Sequence, residues 1–305
     1  MRPVNWLLRS PPSRRLKTWI RPLPVTPDGH TAVDIETPLR PLVSSISAPK
    51  LDARREQCRD AVFPPNGTYV GDRNMRALRC AIADGASYGY RCGQWAQILA
   101  REACAADPFD VDGLLSASVD AWELDIENYV VDRETRREPL QWFEQKNLRH
   151  GAFSTLLVLD LLPYREDIQC GLWLGRAVGD SCVFQIPAGE VDVYWAHPLR
   201  RPEQFGTRPE LVPTSRRALP DVERSLNSLA DWWWHWDPGD RFYLCTDALA
   251  EWFLRSSSDG GTPWSELDDL LASSDSEVMA RWLERRVEQR AIHNDDVSVM
   301  RIVPM

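Results

Sequence analysis

Apolar residues recur along this chain with two periods. Tyr88, Cys92, Trp95, Leu99 and Ala103 fall three or four positions apart, as the buried stripe of a helix requires, and Ser87 stands where a cap would start it. Leu115, Val119, Trp122, Ile126 and Val130 repeat that spacing in a second helix. Near the C-terminus Ser274 and Glu277 read as a capping box ahead of Met279, Leu283 and Val287. The other apolar runs are short and rich in β-branched or aromatic residues. Leu78 to Ala83, Thr155 to Leu161, Gly171 to Val178, Cys182 to Ile186, Val191 to Trp195, Arg241 to Thr246 and Val297 to Val303 each predict a strand. Mid-chain strands arrive consecutively without helices between them, which favours antiparallel pairing over a doubly wound parallel sheet.

Composition narrows the picture. The chain has 305 residues, 43% of them hydrophobic, enough to bury a sizeable core. Its 45 acidic and 36 basic residues give a net charge of −9, which argues against a grip on duplex nucleic acid. No run approaches the roughly 18 apolar residues of a membrane span, and the N-terminus lacks the apolar stretch of a secretory signal, so a cytoplasmic protein is expected. The seven cysteines contain no CxxC and mostly sit in apolar runs, as small buried hydrophobes do. The first 27 residues hold six Arg or Lys, six prolines and no acid. That composition predicts an extension over residues 1–41 and a main domain over 42–305. Pro198 to Pro220, with five prolines and several arginines, reads as an excursion from the domain.

The aspartates fall where the apolar runs stop. Leu78 to Ala83 ends at Asp84-Gly85, Trp173 to Val178 at Gly179-Asp180-Ser181, and Phe242 to Thr246 at Asp247, while Asp295-Asp296 precede the last strand. One such Asp is ordinarily a turn former. If those strands are neighbours, four carboxylates converge at one sheet edge, where like charges raise one another's pKa unless cations neutralise them. Hard divalent ions such as Mg²⁺ or Mn²⁺ suit an all-oxygen donor set.

With these residues in place the sequence resembles the metal-dependent protein phosphatase 2C (PPM) family, in particular its bacterial branch. Arg55 to Ala61 is similar to the family's first motif, Ala83-Asp84-Gly85 to its DG motif, and Gly151 to Thr155 to its Ser-Thr strand entry. Val178-Gly179-Asp180-Ser181 is similar to its GDS motif, Thr246-Asp247-Ala248 to its TDG motif, and Asp295 to Val299 to its terminal D-[ND]-x-[ST]-V element. Six matches in the family's order span residues 55 to 299.

The resemblance implies an α+β fold, a four-layer α-β-β-α sandwich of two antiparallel sheets flanked by helices. It also implies a phosphoserine/phosphothreonine protein phosphatase using two Mn²⁺ or Mg²⁺ ions, with a third, weaker site. Carried over residue by residue, Asp84 would bridge the ions, Gly85 would offer its carbonyl, and Asp247 and Asp295 would complete one shell. Asp60 would hold water near the ions, Asp180 and Glu251 would serve the third site, and Arg55 would grip the phosphate. The implied partners are a phosphorylated protein and a Ser/Thr kinase, and 198–220 matches the family's flap in position.

The pattern departs at Arg59, where an acid usually precedes the motif Asp, at Ala248 in place of glycine, and at Ala86 in place of the His of many relatives. These departures keep open the alternative of a catalytically weak or inactive relative acting as a partner-binding module. A metal-dependent nuclease also uses clustered carboxylates, but the acidic balance and the lack of a basic stripe count against it. The run Asp231 to Trp236 is expected to pack at a core edge more than to present a recognition platform. His293, near Asp295, is the one histidine placed as a candidate proton donor.

Overall fold

The computed structural model describes residues 36–37, 39, 41–65, 67–70, 77–106, 111–165, 170–189, 195–206, 208–228 and 233–304. The chain divides into two compact units, Met1–Glu36 and Thr37–Met305. The expected extension over 1–41 therefore falls almost wholly outside the described residues. A two-residue strand β1 (Glu36–Thr37) lies at the junction of the units.

In the larger unit one sheet runs in the order β12-β8-β7-β5-β3: β12 (Trp233–Trp236), β8 (Cys170–Val178), β7 (Leu156–Arg165), β5 (Leu78–Asp84) and β3 (Asp60–Phe63). The other runs β10-β9-β13-β14-β2-β4: β10 (Trp195–His197), β9 (Cys182–Ile186), β13 (Arg241–Cys245), β14 (Val297–Val303), β2 (Leu42–Ala48) and β4 (Gly67–Val70). A short pair joins β6 (Phe153–Ser154) to β11 (Val212–Pro213). The pairings within both sheets are antiparallel. β7 and β8 are paired neighbours joined by a connection too short for a crossover helix, whereas the turn Gly179-Asp180-Ser181 carries the chain from β8 of one sheet to β9 of the other.

Three apolar layers hold the fold together. Between the sheets, Val43, Met300, Phe242 and Leu244 meet Ile82, Leu157, Leu159 and Trp173. Outside the first sheet, Ala81, Ala83, Val158 and Val178 are covered by α1 (Cys92–Ala105), α2 (Val111–Thr135) and α4 (Leu219–Ser228) through Trp95, Leu99, Leu115, Val119 and Leu226. Outside the second, Ile46, Phe184, Tyr243 and Val299 are covered by α5 (Asp247–Ser258), α6 (Pro263–Ser273) and α7 (Ser276–Glu288) through Phe253, Leu267, Met279 and Leu283. The result is the expected four-layer α-β-β-α sandwich. Each large side chain so buried stabilises by roughly 1.5–3 kcal/mol. The remaining helix, α3 (Trp142–His150), buries no residue and leaves Trp142 75% exposed.

One buried charge cluster is closed on itself. Asp160, inside β7, accepts from Arg79 Nε at 2.5 Å and Nη2 at 3.0 Å, and from Arg176 Nη1 at 2.9 Å. Arg79 Nη1 also donates to the carbonyls of Ala103 and Ala106 at the end of α1, where helix carbonyls lack partners. All three side chains are under a tenth exposed.

Local expectations fared unevenly. The stripe from Cys92 to Ala103 is buried, but α1 begins at Cys92 with Arg91 as its N-cap at φ +59°, so Ser87 caps nothing and Tyr88 is 62% exposed. The N–H groups of Ala86 and Tyr90 donate to Phe153 and Gly151 instead of opening the helix. Asp275, not Ser274, caps α7 by accepting the Glu277 N–H at 2.8 Å; Ser274 ends α6 in the left-handed region. The strand expected at 191–195 falls on residues outside the description, apart from Trp195, which opens β10. In the tryptophan run, residues 231 and 232 are likewise outside it. Trp234 stacks on Trp173 and Trp236 is buried, its Nε1 donating to the Leu162 carbonyl at 3.0 Å, as packing at an edge strand requires. The seven cysteines are free thiols.

Candidate metal centre

Strand register sets the site. β3 and β5 pair with Asp60 opposite Asp84, so the first residue of one strand and the last of the other stand side by side. Asp180 occupies the β8–β9 turn beside Gly179, whose φ of +103° suits glycine alone. In the second sheet Cys245 of β13 pairs with both Cys182 and Val299, which brings Asp247 and the Asp295-Asp296 pair to the same end as the β8–β9 turn. Both sheets thus deliver carboxylates to one end of the sandwich.

The supporting hydrogen bonds run mostly through the backbone. Thr155 Oγ1 accepts from the Asp84 N–H at 3.0 Å, and the Asp84 carbonyl accepts from Ser154 Oγ at 2.8 Å and from the Thr155 N–H at 2.9 Å. Thr246 Oγ1 donates to Asp60 Oδ2 at 2.9 Å and accepts from the Ser298 N–H at 2.9 Å, tying the sheets together. Asp296, buried, accepts from the Lys50 N–H at 2.9 Å and the Arg59 N–H at 2.8 Å. Asn294 accepts the Leu51 N–H at 2.8 Å. The turn carrying Arg55 therefore hangs from the loop that leads into β14, and Arg55 itself is exposed. Gly85 sits against the start of α1, where an added Cβ would stand 2.6 Å from the carbonyl carbon of Cys92.

Burial and mutual repulsion raise the carboxyls. Burial, then the charges of Asp296 and Asp247, push Asp60 up to about 8, against weaker help from Thr246 and Ser298. Asp84 rises well above the ordinary carboxylate range through burial and the charges of Asp60, Asp247, Asp295 and Asp180. Asp180 is raised to about 7, by burial and by Asp247. Asp247 is raised to about 6 by burial, Asp295 and Glu251, although the Ala248 N–H on its Oδ1 at 2.6 Å opposes this. Oδ1 of Asp60 and Oδ1 of Asp180 are buried with no hydrogen-bond partner. Such orphaned, all-oxygen acceptors in a field of like charge fit a hard divalent cation.

The expected residues are not all brought together. Asp60, Asp84, Asp180, Asp247 and Asp295 act on one another electrostatically, and Glu251 acts on Asp247. Glu251, one turn into α5, is paired with Arg255 and stands 3.3 Å from His293 Nε2. Among the described residues no group of three or more His, Cys, Asp or Glu side chains closes into a shell that would hold an ion as it stands. Arg216 of the 198–220 excursion is committed to Asp120 and Glu123 of α2. Sequence reasoning gave no separate role to Thr246, Ser298 or Asp296 and missed Asn294. The first three lay inside quoted motifs, while nothing in the spacing marks Asn294.

No protein-family profile and no curated protein matches this chain. Solved structures similar to it include the serine/threonine phosphatase PstP/Ppp of Mycobacterium tuberculosis, with 17% identity over 87% of this chain and 99% of that one, TM-score 0.43. The PPM Ser-Thr phosphatase MsPP of Mycobacterium smegmatis, in complex with cacodylate, gives 18% identity over 86% and 97%, TM-score 0.40. RsbX in complex with magnesium gives 12% over 87% and 96%, TM-score 0.42. The first two of these neighbours are named as serine/threonine phosphatases, and the weight of the functional reading falls on the residues of this chain.

Proposed function

We propose that this chain is a metal-dependent phosphatase acting on phosphoserine and phosphothreonine in proteins. The observation that carries the reading is the convergence of buried, mutually repelling carboxylates from both sheets at one end of the sandwich. Asp84, the Gly85 carbonyl, Asp247 and Asp295 would hold two Mn²⁺ or Mg²⁺ ions, with Asp180 and Glu251 at a weaker third position. When bound, such ions neutralise phosphoryl charge and activate water for in-line attack on phosphorus.

The chain's own groups do the rest. Asp60 has Oδ2 fixed by Thr246 and keeps Oδ1 free to accept a hydrogen bond from water. Arg55, exposed on a turn flanked by the Asn294 and Asp296 contacts, would present a fork matched to two phosphate oxygens. A Ser/Thr kinase would supply the substrate. No described helix is long and apolar enough to cross a membrane.

Incubation of the full chain with a phosphothreonine peptide and Mn²⁺ should release phosphate, and a chelator should stop it. Silence under Mn²⁺, Mg²⁺ and Co²⁺ would overturn the reading. The absence of a closed shell among the described residues, and the Ala248 N–H held by Asp247, favour a second reading, a partner-binding relative that does not turn over. Calorimetric titration separates the two: divalent binding lost in Asp84→Asn belongs to the enzyme, and no binding at all belongs to the binding module.

A further inference from the structure

Arg59 stands where the motif would have an acid, and its main chain is held on both sides of the site. Its N–H donates to Asp296 Oδ2 at 2.8 Å, and its carbonyl accepts from the Gly85 N–H at 3.2 Å. A Cβ added at Gly93 would lie 3.1 Å from Arg59 Cα, so the first turn of α1 packs directly on it. The side chain is half-exposed. The Cys92 thiol, raised by burial, feels both the cation of Arg59 and the anion of Asp84, which puts the guanidinium within electrostatic reach of the thiol that Asp84 also reaches.

Two cations of the adjoining helices are spoken for. Arg91 pairs with Asp125 at 3.0 Å and lies 4.2 Å over the Tyr129 ring, and Arg133 pairs with Glu144 at 3.1 Å. Among the described residues the Arg59 side chain makes no hydrogen bond or ion pair, and the first turn of α1 contains no acid to pair with it. Arg55, four residues earlier, is exposed and its side chain makes no hydrogen bond or ion pair among the described residues. Arg59 adjoins Asp60 of β3, so an unpaired guanidinium stands next in the chain to the carboxylate cluster, beyond the Arg55 fork proposed for the phosphoryl group.

We propose that Arg59 is a specificity-determining residue that favours phosphorylated peptides carrying a second anionic group beside the phosphorylated residue. The proposal rests on the phosphatase reading for the identity of the first anion. A chain with net charge −9 repels acidic peptides at long range, so a local unpaired fork is what admits them.

The test is fluorescence anisotropy of the full chain in Mn²⁺ with labelled peptides in which a non-hydrolysable phosphonate replaces the phosphate of phosphothreonine, so that no turnover occurs. The peptides differ only in the flank: glutamine, glutamate or a second phosphonate. The wild type should bind the glutamate peptide about fivefold tighter than the glutamine peptide, roughly 1 kcal/mol, and the one with two phosphonates tighter still. In Arg59→Gln the ratio should fall to about one, and Arg59→Lys should keep part of it because the charge survives. A wild-type ratio near one, a ratio retained in Arg59→Gln, an equal loss on all three peptides, or no measurable binding at millimolar peptide would each overturn the proposal. Turnover is assayed separately with Mn²⁺ on the corresponding phosphothreonine peptides. A protein that keeps the binding ratio but hydrolyses none of the peptides would sink the phosphatase reading and leave the role of Arg59 standing.

Discussion

Asp160 and the aspartates at the end of the sandwich are buried alike, and their charges are handled in opposite ways. Asp160, deep in β7, receives three charged hydrogen bonds from Arg79 and Arg176, so its charge is answered within the chain. At the end of the sandwich Asp60, Asp84, Asp180 and Asp247 face one another with their carboxyls raised and two oxygens orphaned. The same chain that closes one buried carboxylate so completely leaves another group open. Burying unpaired like charges costs several kcal/mol, so the cluster is kept for something that arrives from outside.

The sharpest way to separate the two is substitution at each. Asp84→Asn should lower phosphatase turnover by about three orders of magnitude, roughly 4 kcal/mol of transition-state stabilisation, while the circular dichroism stays native. Full activity in that variant at ordinary Mn²⁺ would place the site elsewhere. Asp160→Asn should do the reverse. It strands two buried guanidiniums and should cost about 3–5 kcal/mol of stability, read as a lower urea midpoint, with the turnover per folded molecule kept.

A third experiment uses pH. A carboxyl whose folded pKa is raised contributes stability that is complete below its ordinary value and is lost as pH rises through the folded value. For Asp60 that window runs from 3.8 to about 8, and for Asp180 from 3.8 to about 7. The melting temperature of the chelated protein should therefore fall between pH 5 and pH 9, and added Mn²⁺ should restore it most at the alkaline end. A Mn²⁺ effect independent of pH would mean that the ion binds away from these groups.

The smallest effect has the opposite sign. Burial, then Arg200, lowers His197 to about 4, so it contributes stability above its ordinary 6.5 that is lost as pH falls through 4. His197→Gln should flatten the acid side of the stability profile and leave the alkaline side alone. An unchanged acid limb would show that His197 is not the group titrating there.

What could be read in advance tracks how local its cause is. The strand-end aspartates were legible because a charged residue that stops an apolar run is a local signal. β2 was not legible, because Leu42–Ala48 carries three serines, two of them buried, where a strand would ordinarily show alternation. β3 was missed because only four residues form it and its value lies in the register of Asp60 with Asp84. The Arg79–Asp160–Arg176 cluster gave no sign either: Asp160 interrupts an apolar run, and its first partner lies 81 residues away. Ser87 misled because Ala86 and Tyr90 spend their N–H groups on Phe153 of β6 and on Gly151 at the end of α3, a competition that helix propensity does not register.

The contact between Gly85 and Cys92 has a mechanical meaning. No side chain at position 85 fits against the 2.6 Å approach to the Cys92 backbone, so the turn that ends β5 and the first residue of α1 bear on each other main chain to main chain. With no compressible side chain between them, a shift in one is handed to the other without slack. From that fulcrum α1 reaches about 21 Å to Ala103 and Ala106, whose carbonyls are gripped by Arg79. The helix is a beam pinned at both ends. The turn that carries Asp84 is therefore as stiff as the layer that α1 spans.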